Sequence, residues 1–279
     1  MERILIAGCG YVGTRLGLHL KNEGYQVYAL RRDAKKIPKE LSPFPADLNL
    51  PSSLEDLPKV DSVFYTAAAN NGSAEAYQMA YVDGLRNLLA YLKPSPKHFI
   101  YLSSTRVYGE HNGAWVDEET TPAPMDEQAQ LLLAGEELVR KAKHAGYILR
   151  LGGIYGPGRD FLMRHIQNNH ESISASDQTF TNRIHIDDII AICAGFLKGS
   201  FSPGIYLGVD SEPTNQAELY GWLAQKLHVS PPQITSGASP GPQRGNKKCS
   251  NKKLKDAGYR FRYPRFRDGY SALLKDFSP

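Results

Sequence analysis

A glycine-rich segment near the amino terminus has the spacing of a phosphate-binding loop. Residues 8–13, Gly-Cys-Gly-Tyr-Val-Gly, match G-x-G-x-x-G between a short apolar run, Ile4–Ala7, and an amphipathic helical segment. The first glycine permits a tight turn, the second lets the backbone approach a pyrophosphate, and the third lets helix pack on strand. The dinucleotide contacts predicted here are Gly8, Gly10, Tyr11, Val12 and Gly13. A glycine-rich turn without a ligand is the alternative.

The residues at the end of the predicted second strand favour one dinucleotide over another. An NAD site places an acid about 20 residues after the glycines, whereas this sequence has Arg31 and Arg32, followed by Asp33. Guanidinium groups cannot accept a hydrogen bond from a ribose 2′-hydroxyl, but they pair well with a 2′-phosphate. The sequence therefore predicts NADP rather than NAD. In the alternative, both arginines are solvated and Asp33 contacts the ribose.

The elements that would position this loop alternate between strands and helices, which is typical of a parallel sheet with crossover helices. The predicted strands are Ile4–Ala7, Tyr25–Leu30, Phe44–Ala46, Asp61–Ala68, His98–Ser103 and Tyr147–Leu151. Predicted helices over Ala76–Leu92 and Met125–His144 lie between the later strands. The fold class is thus α/β, a doubly wound parallel sheet (Rossmann) with a smaller C-terminal substrate lobe. We expect the dinucleotide domain over 1–150, joined by segments around 184–209, and the substrate lobe over 151–279.

Composition and cysteine use set the general class of the protein. With 41% hydrophobic and 22% charged residues, and no apolar run near the roughly 20 residues of a membrane span, a globular protein without membrane contact is expected. Cys9, Cys193 and Cys249 lack metal-ligand or disulfide spacing, which predicts no metal site and a cytoplasmic location. The net charge of +4 suits an anionic small-molecule partner.

A basic and aromatic stretch near the carboxyl terminus raises the question of a nucleic-acid partner. Residues 244–267 hold ten lysines or arginines and one acid, Asp256, with interleaved aromatic residues. Nucleic-acid binding is one interpretation. The favoured one is a strand-and-loop element whose aromatic residues pack while its arginines are solvated.

Several further segments together resemble one family over nearly the whole chain. They are Asp47 in Ala46-Asp47-Leu48, Thr66–Ala69, Ser103-Ser104-Thr105-Arg106-Val107-Tyr108-Gly109, the Tyr-Gly-Pro-Gly segment within 152–159, and Arg183-Ile184-His185-Ile186-Asp187-Asp188. In this order they resemble the extended short-chain dehydrogenase/reductases, which include nucleotide-sugar epimerases and dehydratases. The resemblance implies that Asp47 contacts the adenine and that Ala67, Ala68 and Ser103 lie along the cofactor. Family members often dimerise through the helices that correspond to 76–92 and 125–144, so a homodimer is one expectation; burial of this apolar face inside one chain is the alternative.

The resemblance fails at the residues that carry the family's chemistry. That family uses a Tyr-x-x-x-Lys pair for proton transfer while a hydride passes to or from the nicotinamide, and a Ser or Thr holds the substrate oxygen. Ser104 matches the serine. The tyrosine and lysine positions hold Gln128 and Leu132, or Ala129 and Leu133, depending on whether Glu136 or Glu137 is the family's glutamate. No Tyr or Lys lies between Tyr108 and Lys141. Tyr81 also replaces the asparagine of the family's N-V-x-G motif.

Other residues could substitute for the missing pair. Tyr108 and Tyr155 are the candidate catalytic phenols beside Ser104, with structural packing as the alternative. Arg183 and His185 are the candidate substrate-binding residues; the alternatives are an ion pair with an acid of the lobe for Arg183 and a structural role for His185. Asp187 and Asp188 are expected to cap the next helix. The favoured hypothesis is an NADP-dependent oxidoreductase or epimerase acting on a nucleotide sugar or similar anionic small molecule. The other is an NADP-binding sensor or scaffold without turnover, and nucleic-acid binding is a distant third.

Overall fold

The fold is given by a computed structural model that describes residues 1–142, 144–168, 172–174, 179–231, 233–235 and 245–277. Its strands are β1 (Arg3–Ala7), β2 (Gln26–Arg31), β3 (Ser42–Pro45), β4 (Ser62–Tyr65), β5 (His98–Ser104), β6 (Trp115–Val116), β7 (Ala145–Leu151), β8 (Gly153–Tyr155), β9 (Ser172–Ser174), β10 (Phe180–Thr181), β11 (Arg183–His185), β12 (Gly204–Gly208), β13 (Thr214–Asn215), β14 (Gln233–Thr235) and β15 (Lys248–Cys249). Its helices are α1 (Tyr11–Asn22), α2 (Ala74–Tyr77), α3 (Gly84–Tyr91), α4 (Glu127–Lys141), α5 (Phe161–Gln167), α6 (Ile186–Leu197), α7 (Gln216–Leu227), α8 (Lys252–Asp256) and α9 (Phe266–Leu274).

A seven-stranded parallel sheet forms the centre of the fold, in the order β12-β7-β5-β4-β1-β2-β3. From β1 the chain adds strands first toward β3 and then, after crossing, from β4 outward, which is the doubly wound topology predicted from the sequence. The register places Ile4 opposite both Val27 and Ser62. In such sheets ligands bind beyond the carboxyl ends of the strands, where the order reverses. Here that point lies between β1 and β4.

Burial explains why the strand sequences read as continuous apolar runs. Every side chain of β4 is buried, as are those of β1 from Ile4 onward. A parallel sheet covered on both faces requires this pattern. Helix α1 contributes Leu16 and Leu20, both fully buried, because they recur at helical spacing.

All six strands predicted for the first half lie in this sheet, with shifted ends. The third is Ser42–Pro45 instead of Phe44–Ala46, and it lies at the sheet edge, where proline is tolerated. The predicted helix over Ala76–Leu92 is interrupted. A π-helical stretch, Gln78–Asp83, separates α2 from α3, and such stretches often occur at functional positions.

The chain divides into two compact units. The first comprises 1–107, 126–150 and 190–206, and the second 108–125, 151–189 and 207–279. The second unit has its own core, in which α5, α7 and α9 bury Met163, Leu223 and Phe266. It also contains short strand pairs, β8 with β11 and β10 with β13.

The carboxyl-terminal stretch differs from its prediction. Instead of a strand-and-loop element, it contains the short helix α8, a connecting segment, and helix α9, which begins at Phe266. Arg244 lies outside the described residues. Within the described part of the chain, none of the helices has the length and apolar character that a membrane span requires.

Candidate functional site

The loop between β1 and α1 turns sharply at Gly8, whose φ of 100° lies in the region that favours glycine. A Cβ on Gly8 would lie 2.3 Å from the backbone nitrogen of Ala67. The segment after β4 therefore packs directly against the turn, and the Thr66 hydroxyl donates a 2.7 Å hydrogen bond to the Gly8 carbonyl oxygen. A Cβ on Gly13 would lie 2.5 Å from that same oxygen. Both glycines are required by close packing.

Gly10 has a different environment, because the space beside it is open. Among the described residues, a Cβ on Gly10 would meet only the Gly8 carbonyl oxygen, at 4.0 Å. Gly10 is also the N-cap of α1 and provides no side-chain cap. N–H groups of the first turn, such as those of Val12 and Gly13, have no acceptor within the helix. An open space before unsatisfied N–H groups and a positive helix end fits a diphosphate.

Two predicted contacts flank this space. Tyr11 is the first residue of α1, and the Arg15 guanidinium lies 4.1 Å from its ring centroid. Arg31, at the end of β2, donates a 2.8 Å hydrogen bond from Nη1 to the carbonyl oxygen of Cys9. A guanidinium is thereby fixed beside the glycine loop, while Arg32 is exposed.

Asp33 has a local structural role. Its carboxylate caps the 3-10 turn Ala34–Lys36 by accepting a 3.1 Å hydrogen bond from the Lys35 backbone N–H. The same carboxylate lies 3.6 Å from Nζ of Lys36. The acid after the two arginines is therefore engaged within its own turn.

The residues expected along the cofactor follow the carboxyl ends of two strands of the central sheet, β3 and β4. Asp47 follows β3, and its Oδ1 accepts a 2.9 Å hydrogen bond from the Asn49 backbone N–H. Ala67 and Ala68 follow β4; the first is half-buried and the second exposed. The carboxyl ends of parallel strands lie on the same side of the sheet, so these residues and the glycine loop are on that side.

The Ser103 side chain belongs to a buried polar network. Its hydroxyl and Oε1 of Glu136 are 2.6 Å apart, and the Arg150 guanidinium binds the same carboxylate through contacts of 2.6 Å and 3.0 Å. The Glu136 and Arg150 side chains are 1% and 2% exposed. Glu136 is therefore the buried glutamate of α4, whereas Glu137 pairs with Arg140 on the surface. The arginine within the apolar strand Tyr147–Leu151 was the sequence signal for this pair, and sequence reasoning missed it.

Ser104 lies beside a second network. Its Oγ accepts a 3.2 Å hydrogen bond from the Arg106 backbone N–H. The Arg106 guanidinium donates to Oδ2 of Asp126 at 2.6 Å and 3.2 Å, and to the Tyr77 hydroxyl at 3.3 Å. Asp126 also caps α4 through Oδ1, which accepts from the Ala129 N–H at 2.8 Å. No local pattern in the sequence indicates that Tyr77 and Arg106 are partners.

In one of the two alignments, Gln128 and Leu132 are the residues predicted at the positions of the family's tyrosine and lysine, and both have ordinary structural roles. Gln128, in the first turn of α4, donates a 2.9 Å hydrogen bond to the Gly72 carbonyl oxygen. Leu132, one turn later, is 2% exposed and packs in the core. Neither can exchange a proton with a substrate.

The two predicted catalytic phenols are buried within the second unit. Tyr108 is fully buried, and its hydroxyl donates a 2.5 Å hydrogen bond to the Asp117 carbonyl oxygen. Tyr155 stacks on Tyr270 with a centroid distance of 4.4 Å. Burial raises the pKa of Tyr155 far above its ordinary value, and Asp210 adds to this shift. Proton exchange at either phenol would require it to leave this environment.

The predicted substrate-binding residues lie together in the second unit, on β11. The His185 ring packs 5.2 Å from that of Tyr155, and burial lowers the His185 pKa. The Nε of Arg183 is buried without a hydrogen-bond partner among the described residues, as are the Tyr155 hydroxyl and Oδ2 of Asp210. Burial also raises the Asp210 pKa well above its ordinary value. Unsatisfied polar atoms are thus concentrated around this strand.

The predicted capping role of the paired aspartates is wrong for Asp188. Helix α6 already begins at Ile186, and the Asp188 carboxylate accepts hydrogen bonds from the Tyr259 hydroxyl and the Arg262 backbone N–H, each 2.8 Å long. Asp187 contacts the Arg262 guanidinium at 3.1 Å. The Asp188 carboxylate therefore anchors the segment before α9 and does not cap its own helix.

Two arginines at the end of the basic stretch form ion pairs with acidic residues of the same unit. Arg265 pairs with Asp268 at 2.9 Å, and Arg267 contacts Glu212 at 3.0 Å and also Glu218. A surface groove of about 550 Å³ includes Lys255, Arg260 and Phe261 in its lining. Because Arg265 and Arg267 are paired with carboxylates, their charges are less available to a polyanion such as nucleic acid.

Both the sequence and the fold of the chain are similar to those of known proteins. Residues 4–198 match the model of the NAD dependent epimerase/dehydratase family. A solved structure from Methylobacillus flagellatus, described as an NAD-dependent epimerase/dehydratase, superimposes with a TM-score of 0.83 at 34% identity, covering 99% of this chain and 98% of that one. Protein YeeZ of Escherichia coli strain K12 is 26% identical over 95% of this chain and 97% of its own.

One relative has an activity in its name. The dTDP-6-deoxy-L-talose 4-dehydrogenase (NAD(P)(+)) of Kitasatospora kifunensis is 30% identical over 174 residues. The match covers 56% of this chain and 53% of that protein. The similarity is thus confined to about half of each chain.

Proposed function

The chain belongs to the NAD dependent epimerase/dehydratase family, and on this basis we propose that it is an NADP-dependent oxidoreductase or epimerase acting on a nucleotide sugar or a similar anionic small molecule. The observation that carries the proposal is the open N-terminus of α1. Gly10 leaves free space before the helix, and Arg31 is fixed beside it by its bond to Cys9. This arrangement suits an anionic dinucleotide.

The choice of NADP rests on the residues after β2. Arg31 and the exposed Arg32 supply two guanidinium groups for a 2′-phosphate. Asp33, the alternative acceptor for a ribose hydroxyl, already caps its own turn. We therefore expect the phosphorylated cofactor to bind more tightly than NAD.

The residues around the glycine loop would hold the cofactor. The first-turn amides of α1 would bind the diphosphate, Asp47 the adenine end, and Ala67 and Ala68 the face of the dinucleotide. The nicotinamide, when bound, supplies or accepts a hydride. Ser104 would hold the reacting oxygen of the substrate, and the buried network of Ser103 supports the same strand end.

The substrate class is supported by the second unit and by one relative. Arg183 has an unsatisfied buried Nε and lies next to His185 on β11, so this strand can offer donors to an anionic group. The Kitasatospora relative is named for a dTDP-linked sugar. A nucleoside-diphosphate sugar is the corresponding substrate class for this chain.

We also propose a homodimer and a cytoplasmic location. Leu131 and Leu133 are half-buried on α4, while Leu132 is in the core. The three cysteines are free and buried, as suits a reducing compartment. Analytical ultracentrifugation of wild type and of Leu131→Lys/Leu133→Lys tests the dimer; a monomeric wild type contradicts it.

Calorimetric titration with NADPH, NADP, NADH and NAD tests the cofactor site. Selective binding of the phosphorylated forms by wild type, lost in Arg31→Ala/Arg32→Ala, is the expected result. The control is Arg86→Ala/Arg140→Ala, which removes two exposed arginines from other helices. Equal affinity for NAD and NADP contradicts the NADP assignment, and no binding of any of the four contradicts the dinucleotide site.

A substrate screen distinguishes the enzyme from the alternative, an NADP-binding sensor or scaffold. The missing Tyr-x-x-x-Lys pair favours that alternative. Nucleoside-diphosphate sugars are incubated with cofactor, and nicotinamide absorbance and sugar products are followed. Turnover of any of them supports the enzyme, whereas firm NADPH binding without turnover supports the sensor.

A further inference from the structure

A phenol and a permanent cation meet beside Ser104, on elements other than those that carry the family's Tyr-x-x-x-Lys pair. Tyr77 is the last residue of α2, and Arg106 lies in the 3-10 turn Thr105–Tyr108 that follows β5. Nη1 of Arg106 is 3.3 Å from the Tyr77 hydroxyl oxygen, and its Cζ is 5.6 Å from the ring centroid. The guanidinium thus contacts both the oxygen and the ring of one tyrosine.

Arg106 is held in place by groups on both sides. Asp126 binds its guanidinium at 2.6 Å and 3.2 Å, and the two side chains are only 16% and 28% exposed. Its backbone N–H donates to Ser104 Oγ. Asp126 lies two residues before Gln128, one of the two positions, with Ala129, that the family resemblance gives to the catalytic tyrosine. The network therefore joins the predicted substrate-holding serine to that position.

The other phenols near this network are less suited to proton exchange. Burial raises the pKa of Tyr81 to about 12, and neighbouring Tyr77 contributes. The Tyr81 ring packs 5.2 Å from that of Tyr77. Tyr65 is fully buried, and its hydroxyl donates a 2.6 Å hydrogen bond to the Ala80 carbonyl oxygen. Tyr77 is half-buried, and its hydroxyl accepts a hydrogen bond from the Arg106 guanidinium.

We infer that Tyr77 is the proton-transferring residue of the reaction proposed above, and that Arg106 is the positioning residue that holds its hydroxyl through the 3.3 Å contact. The inference rests on the proposed function for the substrate class. In the oxidation direction, the substrate O–H bond breaks and its proton forms a new O–H bond on the Tyr77 phenolate. The electron pair left on the substrate oxygen would form C=O, and the oxidised nicotinamide, when bound, would accept the hydride from the same carbon. The reverse direction returns the proton from the phenol to the carbonyl oxygen.

The first test needs no substrate. Tetranitromethane nitrates ionised phenols, and peptide mass spectrometry measures the rate at Tyr77 and, as an internal reference, at Tyr25. Arg106→Gln is expected to slow nitration of Tyr77 about fivefold relative to Tyr25, because it removes a charge-assisted hydrogen bond to the phenolate. Arg106→Lys should restore part of the rate, and Arg86→Gln, which removes an exposed arginine beyond this network, should leave it unchanged. Circular dichroism confirms that each variant is folded.

The second test uses any sugar nucleotide turned over in the screen. Tyr77→Phe keeps the ring and removes only the hydroxyl, so kcat should fall about 10²- to 10⁴-fold while the Kd for NADPH stays within about twofold. Tyr91→Phe, at the end of α3, is the matched control. A kcat unchanged by Tyr77→Phe overturns the inference and leaves the proposed function standing. If no sugar nucleotide turns over, the substrate class fails, and nitration of Tyr77 at equal rates in wild type and Arg106→Gln still overturns the inference separately.

Discussion

Glu136 and Arg150 form a buried ion pair in which the guanidinium binds both carboxylate oxygens, at 2.6 Å and 3.0 Å. Glu136 comes from α4 and Arg150 from β7, so the pair ties a helix to the central sheet. The Ser103 hydroxyl lies 2.6 Å from the same carboxylate. The buried pair therefore supports the carboxyl end of β5, where Ser104 is the last residue.

Glu136→Gln should destabilise the protein by about 3–5 kcal/mol, because it leaves the Arg150 charge buried without a counter-charge. Glu137→Gln is the matched control one residue later: it breaks only a surface pair with Arg140 and should cost under about 0.5 kcal/mol. Urea unfolding followed by circular dichroism measures both. Equal stability of the two variants would show that the buried pair contributes little.

Gly8→Ala and Gly10→Ala should separate folding from cofactor binding. At Gly8 a methyl group meets the Ala67 backbone at 2.3 Å and the residue needs a positive φ, so a loss of about 2–4 kcal/mol is expected. At Gly10 the methyl group enters open space, so stability should change by under about 1 kcal/mol.

The ligand, however, needs the space beside Gly10. NADPH affinity of Gly10→Ala should therefore fall at least about tenfold, because the methyl group blocks approach to the first-turn amides. Thermal unfolding measures the stability of both variants, and calorimetric titration measures their affinity for NADPH. A Gly10→Ala protein that binds NADPH like wild type would contradict the position of the diphosphate.

The features that the sequence predicted well are local. The glycine spacing and the apolar strand runs depend on neighbouring residues, and the structure contains both the loop and the sheet. The segment after Tyr259 was predicted less well, because its alternation of aromatic and basic residues resembles a strand. The apolar spacing of Phe266 and Tyr270, both buried on α9, is the helical signal within it.

Contacts between distant residues were not predictable in this way. Arg106 and Tyr77 are 29 residues apart, and no sequence periodicity connects them. Asp188 has the residue type and position of a helix cap, but Tyr259 and Arg262, more than 70 residues away, bind its carboxylate. Local pattern therefore identified which segments form the candidate site but not which side chains meet there.

Gly135→Ala and Gly221→Ala should have opposite effects on stability, although both residues lie within helices. A Cβ on Gly135 would lie 2.3 Å from the Tyr101 hydroxyl and 2.5 Å from the Tyr81 carbonyl oxygen. Crowding there should cost about 2–3 kcal/mol. Gly221, on α7, has nothing within 4 Å of such a Cβ among the described residues, and alanine should stabilise by about 0.5–1 kcal/mol. Thermal denaturation of both variants decides this; destabilisation by Gly221→Ala would contradict the open environment.

Asp210 should make stability decrease as the pH rises. Burial raises its pKa well above the ordinary value, although the Glu212 backbone N–H opposes the shift through a 3.1 Å hydrogen bond. The folded protein therefore holds this proton at pH values where the unfolded chain, with a pKa of about 3.9, has lost it. The stabilisation is complete below about pH 3.9 and is lost as the pH rises toward the folded-state pKa.

Asp210→Asn tests this dependence, because asparagine cannot ionise but keeps an acceptor for the Glu212 N–H. As the pH rises from about 4 toward the folded-state pKa, the free energy of unfolding of wild type should fall relative to that of Asp210→Asn, by about 1.4 kcal/mol for each pH unit. Asp256→Asn, exposed on α8, is the control and should run parallel to wild type. Urea unfolding at a series of pH values gives the three curves. Parallel curves for wild type and Asp210→Asn would mean that the carboxylate is ionised in the folded protein, with Arg183 as the nearby charge that compensates it.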